Sequence, residues 1–167
     1  MPMTKKVEQA MNAQLGFEFR SAYAYLAMSA WAEAESLPGF AHWLRTQATE
    51  EVDHAMKFYN FIIDRGGRVL LEDLGRPKES FSSPMEVFQE SLANEQAVTK
   101  AINELYTLTT KEQDYASQAF LNWFVTEQVE EEKMVSQIID SLKLAGSKGD
   151  ALYILDKDMA ARIPEGG

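Results

Sequence analysis

The chain has 167 residues, 46% hydrophobic and 25% charged, a composition typical of a globular domain that can bury its own core. Its formal net charge of −10 argues against nucleic acid and anionic membranes as partners and favours cations. The sequence has no cysteine, which excludes disulfides and thiolate metal sites, and no apolar run reaches the roughly 18 residues of a membrane span. We expect a single cytoplasmic domain over residues 1–167.

Turn residues divide the chain into four long helical segments and one short segment. The first, over residues 4–35, ends before Pro38 and Gly39. The second, over 39–65, should return antiparallel beside the first and end at the two glycines that follow it. One stripe of the first segment has helical spacing and should face inward: Leu15, Phe19, Ala22, Leu26 and Ser29.

A long connection, with prolines and no sustained helical period, follows the second helix. Its roughly 17 residues can cover about 55 Å when extended, at about 3.3 Å per residue. The second helix, with about 27 residues, is only about 40 Å long. The connection can therefore run back along the whole bundle, which would make the second and third helices parallel.

The third and fourth helices are predicted over residues 84–109 and 114–144. Ser83 is a candidate N-cap of the third helix, and Glu86 completes a capping box. A short amphipathic segment over 149–161 is too short to be stable alone and should dock on another surface. The predicted fold is all-α: a four-helix bundle with one long crossover between helices two and three and a short fifth C-terminal helix.

Each long helix carries a glutamate among its inward positions, close to its midpoint. These acids are Glu18, Glu51, Glu95 and Glu131. His54 lies three residues after Glu51 on the same helix face, and Gln128 accompanies Glu131 in an otherwise apolar stripe. Because the midpoints of packed helices meet in either orientation, we predict that the four acids and His54 converge in one layer of the bundle.

Buried carboxylates close together disfavour one another's ionisation, so this layer requires compensation. Two divalent cations would balance four negative charges. Glu51 is well placed to bridge them, because His54 projects from the same face. Oxygen-rich ligands with one imidazole suit iron or manganese better than structural zinc, and iron is the first choice. The methionines are scattered and suggest no haem ligand.

Di-iron bundles of the ferritin-like class use one Glu from each of two helices and a Glu-x-x-His motif from each of the other two. Glu18 and Glu95 match the single acids, and residues 51–54 match one motif. The second motif is replaced by Gln128 and Glu131. Four stretches, in this order and spacing, resemble the non-haem prokaryotic ferritins: "NAQLGFEFRSAYAYLAMSAW", "TEEVDHAMKFYNFI", "ANEQ" and "LNWFVTEQVEEEK". Bacterioferritin and rubrerythrin are similar in fold but carry a second Glu-x-x-His motif.

The resemblance implies a hollow homo-oligomeric shell of 24 subunits. Such a protein oxidises Fe(II) with O2 at a di-iron site inside each subunit and stores an Fe(III) mineral, in which phosphate is a candidate component. Two or three iron ions per subunit are expected, and no haem. The short last helix resembles the one that lines the four-fold channels.

The resemblance also assigns residues by position. The first iron would be held by Glu18, Glu51 and His54. The second would be held by Glu51, Glu95 and Glu131, with Gln128 close by. A third, cavity-side iron would be held by Glu50, Glu127, Glu130 and Glu131. Tyr25 matches a tyrosine beside the first iron and is a candidate one-electron donor.

Other interpretations of these residues remain open at this point. Glu127 and Glu130 lie in a run of charges, which is usually a solvated helix face, and Tyr25 could be a packing residue. As an enzyme, the chain could instead be a rubrerythrin-like di-iron oxidase or peroxidase that forms no storage shell. A helical interaction module with crossover topology is a further alternative, but it leaves the inward acids unexplained.

Overall fold

The structure is a computed structural model that describes residues 2–146 and 148–165. Over these residues it is helical, without β-strands, and the prediction of an all-α bundle is confirmed. The helices are α1 (Lys5–Ala34), α2 (Pro38–Asp64), α3 (Pro84–Lys111), α4 (Tyr115–Ala145) and α5 (Gly149–Met159). The predicted ends need small corrections, because α3 runs on to Lys111 and α5 stops at Met159.

Side-chain caps explain where three of the helices begin. Thr4, Ser83 and Asp114 each accept a hydrogen bond from a backbone N–H in the first turn of α1, α3 and α4 respectively. Asp114 also binds the guanidinium of Arg65 at 2.9 Å. This ion pair links the start of α4 to the end of α2, so the N-cap residue of α4 also holds the two helices together.

The helix directions follow from contacts between named positions. Ser29 Oγ donates to the Ala41 carbonyl at 2.8 Å across the short turn between α1 and α2, which run antiparallel. Asn94 donates to Ser21 at 3.0 Å and Ser91 donates to Met28 at 3.4 Å, so α1 and α3 are also antiparallel. It follows that α2 and α3 are parallel, as the length of the connection predicted.

The crossover between α2 and α3 is held to the bundle by a buried asparagine on α1. Asn12 Nδ2 donates to the Arg68 carbonyl at 3.0 Å, and its Oδ1 accepts from the Leu70 N–H at 2.7 Å. These two bonds satisfy backbone groups of a segment that has no secondary structure of its own. The start of the crossover is therefore fixed along α1.

The short helix α5 docks on the N-terminal turn of α2 within the same chain. Asp156 Oδ1 accepts a hydrogen bond from the Phe40 N–H at 2.9 Å. The approach is close enough that a Cβ on Gly39 would lie 1.6 Å from the Asp156 carbonyl oxygen. Glycine at this position allows the two helices to touch.

Two apolar clusters fill the interior of the bundle. One is centred on Phe40, Phe88 and Val135, and the other on Phe58, Ile102 and Leu121. Leu26, predicted to face inward, is 48% exposed, because α1 packs through neighbouring positions such as Tyr25 and Met28. Within the described ranges, no helix is both long and apolar enough to cross a membrane.

Candidate metal centre

Five predicted ligands, contributed by all four long helices, meet between the two apolar clusters. Their exposed fractions are at most 4%: Glu18, Glu51, His54, Glu95 and Glu131. Glu18, Glu51 and His54 form one set of three residues whose ligand atoms lie within 4.8 Å of one another. Glu51, Glu95 and Glu131 form a second such set. Glu51 belongs to both sets, which is the position a bridging carboxylate would occupy.

The first set lies between α1 and α2. His54 Nδ1 is 3.3 Å from Glu51 Oε2 and 4.0 Å from Glu18 Oε2. Gln14, one helical turn before Glu18, donates to Glu18 Oε1 at 2.9 Å. Trp123 on α4 packs edge-on against the His54 ring, with centroids 5.3 Å apart. The imidazole is therefore held by an aromatic contact as well as by the neighbouring acids.

The second set extends to α3 and α4. The Tyr25 hydroxyl donates to Glu95 Oε1 at 2.6 Å. Gln128 Nε2 donates to the Glu95 backbone carbonyl at 3.1 Å and lies 3.3 Å from its Oε2. Tyr25 and Gln128 thus contact the carboxylate of Glu95 directly.

The acids that the resemblance assigns to a third iron differ in their burial and in their hydrogen-bond or ion-pair partners. Glu127 is half-buried and forms a third possible ligand set with His54 and Glu131. Glu50 is buried, but Arg162 Nη2 occupies its Oε2 at 2.8 Å and the Glu165 N–H its Oε1 at 3.1 Å. The structure does not bring Glu130 to this group: its exposed side chain lies 3.8 Å from Lys133.

Four buried atoms of the described side chains lack a hydrogen-bond partner, and all four surround this centre. They are Glu18 Oε2, His54 Nδ1, Glu127 Oε1 and Glu131 Oε1. Unsatisfied buried polar atoms are rare in proteins and costly. Their convergence, with carboxylate oxygens and one imidazole nitrogen, fits a site for cations that prefer oxygen-rich ligation, such as iron or manganese.

The pKa values of these side chains also favour a site for cations. Burial, with a smaller effect of the Glu51 charge, raises the pKa of Glu18 well above its ordinary value and that of Glu95 to about 8. Burial and the charge of Glu95 likewise raise the pKa of Glu131. Burial lowers the pKa of His54, but the adjacent Glu51 outweighs it, so that pKa is raised overall. Without cations, Glu18, Glu95 and Glu131 therefore keep their protons to a higher pH than ordinary carboxylic acids do.

Sequence reasoning missed two glutamines that organise the centre. Gln14 precedes Glu18 by four residues, and Gln47 precedes Glu51 by four. Gln47 Nε2 donates to Glu51 Oε1 at 2.9 Å and to Glu131 Oε2 at 2.8 Å. An amide one turn before each acid on an inward face was the signal that could have identified both.

The fold and the converging side chains define a class: helical bundles whose buried carboxylates and histidine could hold metal ions within one chain. A family described as "Ferritin: Ferritin-like domain" matches residues 8–145. The chain belongs to this ferritin family.

Individual relatives agree with the family match. The chain is 43% identical, over 96% of both chains, to a bacterial non-heme ferritin of Staphylococcus saprophyticus. It superposes with a TM-score of 0.95 on an open pore ferritin from Archaeoglobus fulgidus, at 40% identity over 96% of this chain and 98% of that one. A structure described as a humanized archaeal ferritin gives a TM-score of 0.97 at 39% identity, over 98% and 99% of the two chains.

Proposed function

We propose that this chain is an iron-storage ferritin with ferroxidase activity. In this proposal it oxidises Fe(II) with O2 at the buried centre and stores the Fe(III) product as a mineral inside a 24-subunit shell. Membership of the ferritin family supports iron storage. The observation that supports the chemistry is the convergence of buried carboxylates and one imidazole from four helices, with atoms of Glu18, His54 and Glu131 left without a hydrogen-bond partner.

In the proposed reaction, Fe(II) is a substrate. One ion would be held by Glu18, Glu51 and His54, and the other by Glu51, Glu95 and Glu131. Four ionised carboxylates would then balance two divalent charges, so the burial and mutual repulsion that raise the pKa of Glu18, Glu95 and Glu131 would be compensated. Because the acids lose protons as the cations bind, iron uptake should release protons.

The protein contributes geometry and charge to the oxidation. Each Fe(II) would supply one electron and become Fe(III), so a bound pair would reduce one O2 by two electrons, to the oxidation level of peroxide. We assign Tyr25, whose hydroxyl donates to Glu95 at 2.6 Å, the role of a further one-electron donor. Gln14 and Gln47 keep the carboxylates oriented in the absence of metal.

A third, transient iron position is part of the proposal. Glu127 and Glu131, with His54, form the ligand set that supports it. Glu50 would join only after release from Arg162, and Glu130 only after its side chain turns inward. The third position would therefore hold iron less firmly than the first two, which suits passage of the product towards a cavity.

An apolar surface on α1 and α2 supports assembly with further copies of the chain. Tyr23, Leu26 and Val52 are 39% to 48% exposed, and they line one groove with Phe19 and Leu74. Exposed apolar patches of this kind commonly become interfaces. We assign this groove to contact with a second copy in the shell.

Stopped-flow absorbance after mixing two Fe(II) per subunit with aerated buffer tests the proposed oxidation. The unaltered protein should oxidise iron rapidly, and Glu51→Ala and His54→Ala should each slow the reaction by about tenfold or more. Glu104→Ala removes an exposed acid of α3 and serves as the matched control, with an unchanged rate. Equal rates in all four proteins would refute the assigned centre.

A further inference from the structure

The segment that follows α5 lies along α2, beside the metal centre. The Arg162 carbonyl accepts a hydrogen bond from His42 Nε2 at 2.9 Å, and the guanidinium carbon of Arg162 lies 4.1 Å from the centroid of the Trp43 ring. Arg162 Nη1 donates to the Trp43 carbonyl at 3.1 Å. The side chain of Arg162 is only 10% exposed, so its charge is held in a defined place.

The second nitrogen of this guanidinium reaches a residue that touches the metal ligands. Arg162 Nη2 donates to Gln47 Oε1 at 2.7 Å. Arginine has donors only, so the amide oxygen of Gln47 must face it. The NH2 group of Gln47 is then directed inward, where it donates to Glu51 at 2.9 Å and Glu131 at 2.8 Å.

The two carboxylates held by this one amide come from different helices, α2 and α4. Gln47 is fully buried. If its amide were turned so that the nitrogen faced Arg162, the amide oxygen would face the two acids and could donate no hydrogen bond to them. A positive charge on the oxygen side also polarises the amide and strengthens its N–H donors. The orientation of the shared ligand Glu51 thus depends on a residue beyond the last helix.

We propose that Arg162 is a positioning residue for the metal centre, acting through Gln47 to hold Glu51 and Glu131 in the geometry that binds the second cation. The inference rests on the proposed function, because it takes these two acids as ligands. Arg162 does not touch the cation itself. Its effect is to fix which end of the Gln47 amide faces the centre.

A different role for Arg162 would be neutralisation of Glu50, to which Nη2 donates at 2.8 Å. The two roles differ in their dependence on Gln47. If Arg162 acts through Gln47, removing it should have no further effect once Gln47 is gone. If it acts through the charge of Glu50, the two removals should add.

The test is a titration of the metal-free protein with Co(II), followed by its visible absorption bands, which report the number, affinity and coordination of bound ions without iron oxidation. Four proteins are compared with the unaltered chain: Arg162→Met, Gln47→Leu, their double variant, and Arg65→Met. The last removes another largely buried arginine that is paired with an acid, at the opposite end of α2. It controls for lost stability, and circular dichroism verifies the helix content of every variant.

We expect Arg162→Met and Gln47→Leu each to weaken the second Co(II) by about tenfold, in the range found for other residues that orient metal ligands. The double variant should bind no more weakly than Gln47→Leu, and Arg65→Met should bind like the unaltered chain. Normal Co(II) binding and spectrum in Arg162→Met would overturn the inference, and so would additive losses. Failure of the unaltered chain to bind two Co(II) would instead count against the proposed function.

Discussion

At the scale of single residues, Glu95 shows how the uncompensated acids lower the free energy of unfolding when no cation is bound. Its carboxyl is 1% exposed, and burial together with Glu51 raises its pKa from an ordinary 4.5 to about 8. Between these two values the unfolded chain has released the proton that the folded chain keeps. The free energy of unfolding of the metal-free protein should therefore fall as pH rises through this interval, by up to about 1.4 kcal/mol per pH unit from this group.

The variant Glu95→Gln isolates this contribution. A neutral amide can still accept the hydrogen bond from Tyr25, while the titration is removed. We expect the metal-free variant to match the unaltered chain near pH 4.5 and to be more stable by roughly 1 kcal/mol or more at pH 8. Urea unfolding of both proteins across this range, with chelator present, measures the difference. A variant that is less stable than the unaltered chain at pH 8 would show that Glu95 is not a buried, repelled acid.

The same scale shows what sequence could predict about the centre. Glu18, Glu51, His54, Glu95 and Glu131 were predicted to converge, and the structure brings them together because each lies near the middle of a helix on its inward face. Arg162 could not be predicted as a partner of Gln47, because that contact depends on where a tail docks after α5. The exposure of Glu130 follows from its position next to the inward Glu131, since adjacent helical residues face different sides.

At the scale of helices, the four long elements and the crossover could be predicted because prolines, glycines and caps mark their ends. The docking site of α5 could not, because it depends on the absence of a side chain at Gly39. The inward stripe of α1 was also partly misplaced: α1 packs against both α2 and α3, and Leu26 falls outside both contacts. The apolar periodicity of a helix shows that one face is buried, but it does not decide which of two neighbouring residues, such as Tyr25 and Leu26, points into the core.

The close contact between α2 and α5 can be tested by adding a side chain at Gly39. In Gly39→Ala the new methyl group would collide with the Asp156 backbone, and that backbone cannot yield as a flexible side chain could. We expect α5 to detach, with faster proteolysis of the C-terminal segment and a loss of about 2 kcal/mol or more in the free energy of unfolding. Gly149→Ala, where a Cβ meets nothing within 4 Å, is the matched control and should retain α5. An undisturbed C-terminal segment in Gly39→Ala would contradict the close packing described.

At the scale of the whole molecule, the shell is the proposal with the clearest physical signature. Light scattering coupled to size exclusion should find a particle of 24 subunits of 18.9 kDa each. Leu26→Glu places a charge in the apolar groove on α1 and α2, so we expect it to shift the protein to smaller species while its helix content is unchanged. Thr107→Glu, at an exposed position of α3, is the control and should leave the particle intact. A shell that tolerates Leu26→Glu would show that this groove is not an interface.

The central claim is that glutamates from four helices meet at one level of the bundle to hold two divalent cations. Anomalous diffraction at the iron absorption edge, from crystals soaked in Fe(II) without O2, tests this claim most directly. We expect two iron peaks in each subunit, one among Glu18, Glu51 and His54 and the other among Glu51, Glu95 and Glu131. Iron peaks found only at surface acids, with none between these side chains, would contradict it.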